Sequence, residues 1–410
     1  MSNLAEMYGE FHSVYRGIGT LNGRDCEFEI GQKPDGDIRL ICGSDEFWPE
    51  CKELALIGIA DEVRINAAGK VIRTHAGPGE SAAHCYHYRS AGKFELDVGA
   101  SCWEEARSVR FAITNLVFTG NKREAHGTGG WRRTDLNVKL DGVNISFQKV
   151  EEYDSIIDSL KRNKSTKITC ELVMEIENHA QDEILEIVDS ICSLLTIARG
   201  TKINWINYKL LDSDSELICH HCEPRITVPY TSIGLVKSVV IPKCTIDFLT
   251  QCYPTYKEHN TKYHFDYVGN FLADIHSRGF PETRCLLLFS VAEVLTRSSF
   301  DNNKQLRRLR DFIDKHNVPV QKCIEKKCGR GCGTCVPKCK ECKYKCEPKC
   351  EIGKFIQDRN EFVHKMRFPD NENITAGYYR NLNFLHRMIL SALKFKGELY
   401  DWSKGGPVWA

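Results

Sequence analysis

The sequence lacks an excess of charge of either sign. Its 56 Lys and Arg residues nearly balance 55 Asp and Glu residues, which leaves a formal net charge of +1. Non-specific binding to nucleic acids depends on positive charge. Any binding of nucleic acid must therefore come from a local basic patch and not from the charge of the whole chain.

The sequence also lacks long hydrophobic runs, since no apolar segment reaches the roughly 18–20 residues of a membrane span. The first residues, MSNLAEMYGEF, contain neither the basic stretch nor the apolar core of a secretory signal. We therefore expect a cytoplasmic protein with no membrane partner. Internal repeats and low-complexity linkers are absent too. With 410 residues, 42% of them hydrophobic, the chain can form two or three domains with substantial cores.

The first half of the chain has the pattern of β-strands. Segments such as KFELDV, RFAITNLVF and LNVKLDGVNISFQKV are rich in β-forming residues and are separated by turn signals. One amphipathic helix is predicted near residues 181–199, with Gly200 at its C-terminal end. These features predict a β-rich N-terminal domain over residues 1–240, a β-sandwich or an open barrel.

The second half has the pattern of helices. The segment PETRCLLLFSVAEVLTRSSF begins with a proline, which suits a first helical position, and is apolar on nearly all sides. We therefore expect it to be the central helix of a C-terminal all-α bundle over residues 244–410. The predicted fold class is α+β multidomain, with a β-sandwich-like domain followed by this bundle.

Cysteine is abundant, with 20 residues in the chain, and eight of them lie in a basic segment over residues 321–350. This segment has too few apolar residues for a core, but eight thiols at short spacings can form two tetrahedral sites. We therefore expect two structural zinc ions, with an iron–sulfur cluster as the alternative. The expected ligands are Cys323, Cys328, Cys332, Cys335, Cys339, Cys342, Cys346 and Cys350.

The same segment carries nine basic and three acidic residues, a charge of +6. Two zinc ions with four thiolates each would contribute about −2 apiece, so the lysines can offset thiolate charge. The insertion is therefore either a structural zinc module or an element that guides RNA or senses a trigger. A separate run, CHHC from Cys219 to Cys222, is a poor metal site because adjacent residues of a strand point to opposite faces.

The stretch IQDRNEFVHKM, residues 356–366, places a charge where a helix needs an apolar residue. On a helical wheel, Arg359 falls near the middle of the apolar stripe, with Asn360 about 100° and His364 about 140° away. An unpaired guanidinium in a core would be unfavourable by several kcal/mol. Glu293, a charge within the apolar segment described above, is its predicted partner. Asp358, on the predicted polar side, is a weaker candidate.

The residues RNEFVH, 359–364, fit the R-N-x-x-x-H motif of the HEPN superfamily. The order of a β-rich domain, the junction SLLTIARGTKINWINY and a helical bundle resembles the ApeA-like branch of prokaryotic defence proteins. The cysteine insertion departs from the minimal HEPN bundle. Without the resemblance, a buried Arg–Glu pair that only fixes helix register explains the pattern equally well.

The resemblance implies a metal-independent endoribonuclease that acts in anti-phage defence as a homodimer. It implies that His364 is a general acid or base, that Arg359 contacts the scissile phosphate, and that Asn360 orients the site. Glu293, predicted from the helix pattern as the partner of the arginine, completes the candidate catalytic group. The implied substrate is host RNA, with tRNA a plausible target, and the implied trigger comes from a phage. The alternatives are a non-catalytic HEPN scaffold that binds RNA or nucleotide and a zinc-dependent nucleic-acid-binding regulator.

A second match to the motif is RNLNFLH, from Arg380 to His386. The apolar residues of this segment predict that Arg380 lies on the opposite, solvated side of its helix. The first match is therefore the preferred site.

Overall fold

A computed structural model describes the chain except for residues 1–3, 9, 45–50, 79–83, 100–102, 127–129, 178, 226, 232–233, 237–241, 278–279, 298–304, 321–350, 370–371, 403–405 and 410. The chain divides into two compact units. The first contains Met1–Asp189 and Ile203–Tyr230, and the second contains Ser190–Lys202 and Thr231–Ala410. The second unit thus also takes in residues 190–202, which precede the boundary predicted near residue 240.

The first six strands follow a short helix, α1 (Leu4–Tyr8). They are β1 (Ser13–Leu21), β2 (Arg24–Gln32), β3 (Ile38–Ser44), β4 (Glu53–Ala60), β5 (Val63–Pro78) and β6 (His84–Gly99). Strand β5 pairs with both β4 and β6, so the order β6-β3-β2-β1-β4-β5 closes on itself. Alternate residues point inwards, as in β4, where Leu54 and Leu56 are buried and Ile57 and Ile59 are exposed.

Strand β6 continues the same sheet into the rest of the first unit. The further strands are β7 (Ser108–Thr114), β8 (Arg123–His126), β9 (Gly130–Arg133), β10 (Leu136–Leu140), β11 (Val143–Lys149), β12 (Ile168–Glu175), β13 (Trp205–Leu211) and β14 (Leu217–Cys222). Strand β14 pairs with β6, and the order continues β13-β7-β12-β11-β10, while β8 and β9 form a separate hairpin. Helix α2 (Tyr153–Asn163) belongs to this unit, and α3 (Gln181–Arg199) begins in it and continues into the second unit from Ser190 onwards.

The β-rich first unit is confirmed, and α3 spans the residues predicted for it. The strands do not form the predicted sandwich of two sheets, because twelve strands form one continuous antiparallel sheet, and its closed part, β1–β6, is nearer to the predicted barrel. The physical reason is the length of β5 and β6, 16 residues each. Strands this long can pair with different neighbours along their length, which joins the closed part of the sheet to the open part.

The second unit is mainly helical. Its elements are α4 (Pro242–Tyr263), α5 (Phe265–Ser277), α6 (Pro281–Arg297), α7 (Gln305–His316), α8 (Glu351–Lys365), α9 (Ile374–Ala392), β15 (Glu398–Asp401) and β16 (Gly406–Trp409). Helix α6 contacts all five of the other helices from α4 to α9, which confirms the predicted central helix. Helix α9 begins where Asn373 accepts hydrogen bonds from the backbone N–H groups of Thr375 and Ala376. None of the helices in the described residues has the length and apolar character needed to cross a membrane.

Candidate functional site

The buried face of α8 is centred on Phe355, Asp358 and Phe362, and not on Arg359. Val363 and Met366, two members of the apolar stripe on the helical wheel, are exposed. The side chain of Arg359 is 23% exposed to solvent. Arg359 therefore lies at the edge of the buried face, where its guanidinium is partly shielded but still reaches solvent.

Arg359 forms an ion pair with Glu293, as the sequence predicts. Its Nη2 donates a 2.6 Å hydrogen bond to Oε1 of Glu293, which joins α8 to the central helix α6. Its Nη1 donates a 3.2 Å hydrogen bond to Oδ1 of Asn360. Because both carboxylate and amide hold the guanidinium, the arginine has a fixed orientation at the surface of the bundle.

His364 lies on the last turn of α8 and is exposed. In the described residues, the hydrogen bonds from Arg359 to Asn360 and Glu293 do not involve His364. Next to it on the exposed side, Lys365 pairs with Glu361 at 2.9 Å, and this hydrogen bond holds the pKa of Glu361 below its usual value. One chain therefore presents the arginine group and the histidine as separate features of the same helix.

Asp358 is fully buried, which contradicts its predicted place on the polar side of α8. Arg380 and Asn381 of α9 donate hydrogen bonds to its Oδ2, the latter at 2.9 Å. Lys354 lies 3.2 Å from its Oδ1. These partners compensate for the loss of hydration, so the carboxylate can occupy the interface between α8 and α9.

Arg380 does not lie on a solvated side of α9. Its guanidinium is partly buried and binds Asp358 and Glu372. The helix is buried on almost every side, so it has no broad solvated face. The prediction of a solvated arginine was wrong because apolar residues alone do not mark where buried charges lie.

His386, the histidine of the second motif match, is also fully buried. Its ring lies 6.5 Å from the ring of His276, centroid to centroid. Burial lowers the pKa of both histidines, that of His276 to about 3, and the charges of Arg284 and Arg387 act in the same direction. His386 thus belongs to the interior of the bundle and is not presented to a substrate, whereas Arg380 is held by Asp358 and Glu372 with 30% of its side chain exposed.

The predicted zinc ligands, from Cys323 to Cys350, lie outside the described residues. In the part that is described, no group of three or more Cys, His, Asp or Glu side chains is arranged to hold a metal ion. This includes the CHHC run at the end of β14. There, Nε2 of His220 lies 3.5 Å from Sγ of Cys222, whereas Nδ1 of His221 lies 2.6 Å from Oδ1 of Asp97. Neighbouring residues of this strand therefore have different partners.

A cavity that the sequence did not reveal opens at the start of α9. It has a volume of about 520 Å³ and is lined by Asn373, Thr375, Ala376, Tyr379 and Trp402. The rings of Tyr379 and Trp402 are nearly parallel, with a 20° angle between their planes and 6.4 Å between their centroids. Aromatic walls of this kind can stack on a planar ligand such as a nucleobase. Because its two rings come from separate elements, no local sequence pattern marks the cavity.

Comparison with known proteins gives one partial match. The family model of the YopA central domain matches residues 103–233, about a third of the chain. The matched segment includes β7–β14, α2 and α3, and it ends before α4 begins. No curated protein and no solved structure matches the chain. The similarity therefore concerns the β-rich part of the protein and does not extend to Arg359, Asn360, His364 or Glu293.

Proposed function

We propose that the protein is a metal-independent endoribonuclease of the HEPN type. The observation that carries the proposal is the Arg359–Glu293 ion pair, with Asn360 on the same guanidinium and His364 exposed on the same helix. A fixed cation and an exposed histidine at the surface of a helical bundle are suited to the cleavage of a phosphodiester.

The reaction uses the 2′-hydroxyl of RNA as the nucleophile. An imidazole side chain can both accept and donate a proton, so His364 can take the proton of the 2′-hydroxyl or give one to the departing 5′ oxygen. The ribose 2′-oxygen bonds to phosphorus and the bond to the 5′ oxygen breaks. The products are a 2′,3′-cyclic phosphate and a 5′-hydroxyl, and the substrate itself provides the nucleophile without a metal-bound water.

Arg359 is assigned to the phosphate. Two of its N–H groups already bind Glu293 and Asn360, and a guanidinium has further donors that remain for an oxygen of the scissile phosphate. Because Glu293 and Asn360 fix the orientation before the substrate binds, the arginine can stabilise the developing negative charge without rearranging.

The proposal requires a homodimer. Arg359 and His364 lie about 140° apart on one helix, so they do not converge on one phosphate within a single chain. Val363 on α8 and Met366, directly after its last residue, are both exposed and favour coverage of this end of the helix by a second copy. Two copies of α8 would then place the arginine of one chain near the histidine of the other.

In the cell, we assign this activity to anti-phage defence by abortive infection, with tRNA a plausible host target. An RNase that acts on host RNA must be silent before infection. The β-rich unit, and the cysteine segment with its proposed zinc ions, would restrain the dimer or sense a phage-derived trigger. The cavity lined by Tyr379 and Trp402 adds a surface that can stack on a base of the RNA.

Expression of the full chain tests the proposal directly. The wild type should generate RNA fragments with 2′,3′-cyclic phosphate and 5′-hydroxyl ends, and His364→Ala and Arg359→Ala should each abolish them. Lys365→Ala, at the neighbouring exposed position, is the matched control and should retain cleavage. A His364→Ala protein that folds, dimerises and still cleaves RNA would refute the assignment.

A non-catalytic scaffold is the second candidate, and one observation favours it. The charge of Arg359 is already partly neutralised by Glu293 at 2.6 Å, as expected of a pair that only joins α8 to α6. A scaffold would bind RNA without cleaving it, and His364→Ala would leave that binding unchanged. End mapping together with an RNA-binding assay on the same preparations separates the two candidates.

A further inference from the structure

Four exposed residues form a row across the outer, convex face of strands β2, β1, β4 and β5. Glu27 lies opposite Ile18, Ile18 lies opposite Ile59, and Ile59 lies opposite Arg64. Residues directly opposite on paired strands point to the same face of a sheet. The row therefore reads acidic, apolar, apolar, basic from one side to the other.

The apolar centre of this row is exposed. Ile18 and Ile59 are 68% and 58% exposed. Ile57, two residues before Ile59 on β4 and therefore on the same face, is 54% exposed. Side chains of this size, adjacent on one face of a sheet, form a contiguous apolar surface, which we call the isoleucine patch (Ile18, Ile57 and Ile59). Such surfaces on soluble proteins mark interaction sites.

We propose that the isoleucine patch is an interface with a second copy of this chain, related by a twofold axis that lies between the two sheets and runs along the strands. This axis reverses the order of the row. Glu27 of each copy then faces Arg64 of the other, and Ile18 faces Ile59.

The pattern of charges determines both the occupant and the axis. A twofold axis perpendicular to the strands would place Glu27 against Glu27 and Arg64 against Arg64, and like charges brought together across an interface disfavour that arrangement. With the axis along the strands, the second row also pairs suitably, because Asp25 faces Asn66 and Thr20 faces Ile57. The face is thus complementary to itself in one orientation.

Glu27 and Arg64 do not pair within one chain. Three strand spacings of about 4.8 Å separate them, a path of roughly 14 Å along the sheet. The side chain of Arg64 is held at the surface by a 3.3 Å hydrogen bond from its Nε to Asn66. Both charges are therefore exposed at the two ends of the row, where a second copy can reach them.

The expected association is weak. A stable interface buries roughly 800 Å² per partner, and three isoleucine side chains alone provide less than this. The charged ends of the row must contribute the rest of the contact area. We therefore expect a dissociation constant in the micromolar range, separate from any association through α8.

Sedimentation equilibrium of the full-length chain over a range of concentrations tests the proposal. Ile59→Lys should remove one association step and weaken self-association at least about tenfold. Ile72→Lys is the matched control, because Ile72 lies on β5 and is also 58% exposed but is not part of the patch. Thermal unfolding of each variant shows whether the fold is kept.

Reversal of the charges at Glu27 and Arg64 provides a second test, and it changes only exposed side chains. Glu27→Arg and Arg64→Glu should each weaken self-association at least about tenfold, and the double variant should recover most of the wild-type affinity. The proposal is overturned if the wild type has no association step that Ile59→Lys removes, if Ile72→Lys weakens association equally, or if the double reversal fails to restore it. Coverage of the patch by another part of the chain or by another protein would give the first or the last of these results.

Discussion

Arg359 of α8 and Glu293 of α6 are joined by a 2.6 Å hydrogen bond between Nη2 and Oε1. The two residues are 66 positions apart in the chain, and each was identified in the sequence as a charge within an apolar helix. Their pairing explains how both charges are tolerated, and it also orients the guanidinium before a substrate arrives. Loss of the pair should therefore affect activity more than stability.

Glu293→Gln should lower RNA cleavage at least about tenfold while changing the free energy of unfolding by no more than about 1 kcal/mol, since partly exposed ion pairs contribute little to stability. Gln preserves the shape of the side chain but not its charge, so Arg359 is less firmly oriented. Cleavage rates and urea unfolding of the same preparations measure both effects. Equal losses of stability and activity would indicate a purely structural pair.

Asp358→Ala should destabilise the second unit by roughly 3–5 kcal/mol, because it leaves Arg380 and Asn381 without their buried partner. Glu361→Ala is the control on the same helix, since its pair with Lys365 lies at the surface and its loss should have little effect on stability. Chemical unfolding followed by circular dichroism at 222 nm reports the loss of helix. A small effect of Asp358→Ala would show that the buried network is not important for stability.

Glu293 and Asp358 show which features can be predicted from the sequence and which cannot. The limits of α3 follow from its apolar period and from Gly200, and the Arg359–Glu293 pair follows from two misplaced charges; both depend on local patterns. The burial of Asp358 depends on Arg380, which lies 22 residues away on another helix. The hydrophobic periodicity of α8 alone cannot predict this contact. The closure of the sheet by β5 and β6 and the cavity beside Trp402 are likewise products of long-range packing.

The stability of the first unit should fall as the pH rises from about 6.5 to about 9, through the titration of His221. Burial alone would lower the pKa of His221, but hydrogen bonds to Asp97 and Glu223 outweigh this and raise it to about 9. A pKa that is higher in the folded state stabilises the fold fully below the unfolded value of about 6.5, and this contribution is lost towards pH 9. It amounts to no more than roughly 3 kcal/mol. His221→Gln should flatten the stability profile over this interval in urea unfolding, and a profile as steep as that of the wild type would contradict the prediction.

The second unit should show the opposite dependence, through His386. Burial holds its pKa well below the usual value, with the charges of His276 and Arg387 acting in the same direction. The folded state therefore excludes a proton that the unfolded chain binds, so stability is complete above about pH 6.5 and falls as the pH is lowered. His386→Phe should lose less stability between pH 7 and pH 5 than the wild type, as measured by urea unfolding. An equal loss would mean that His386 does not contribute to acid sensitivity.

Removal of metal should separate the proposed zinc ions from the proposed reaction. We expect about two zinc ions per chain by elemental analysis, bound by the eight cysteines from Cys323 to Cys350. Chelation should make this segment sensitive to proteases, because folding of a cysteine-rich segment depends on its metal. Cleavage of RNA should persist after chelation, since the 2′-hydroxyl and His364 need no metal. Loss of cleavage on metal removal, with the helices still folded by circular dichroism and with recovery on adding zinc, would contradict the metal-independent reaction and favour a function centred on the cysteine segment.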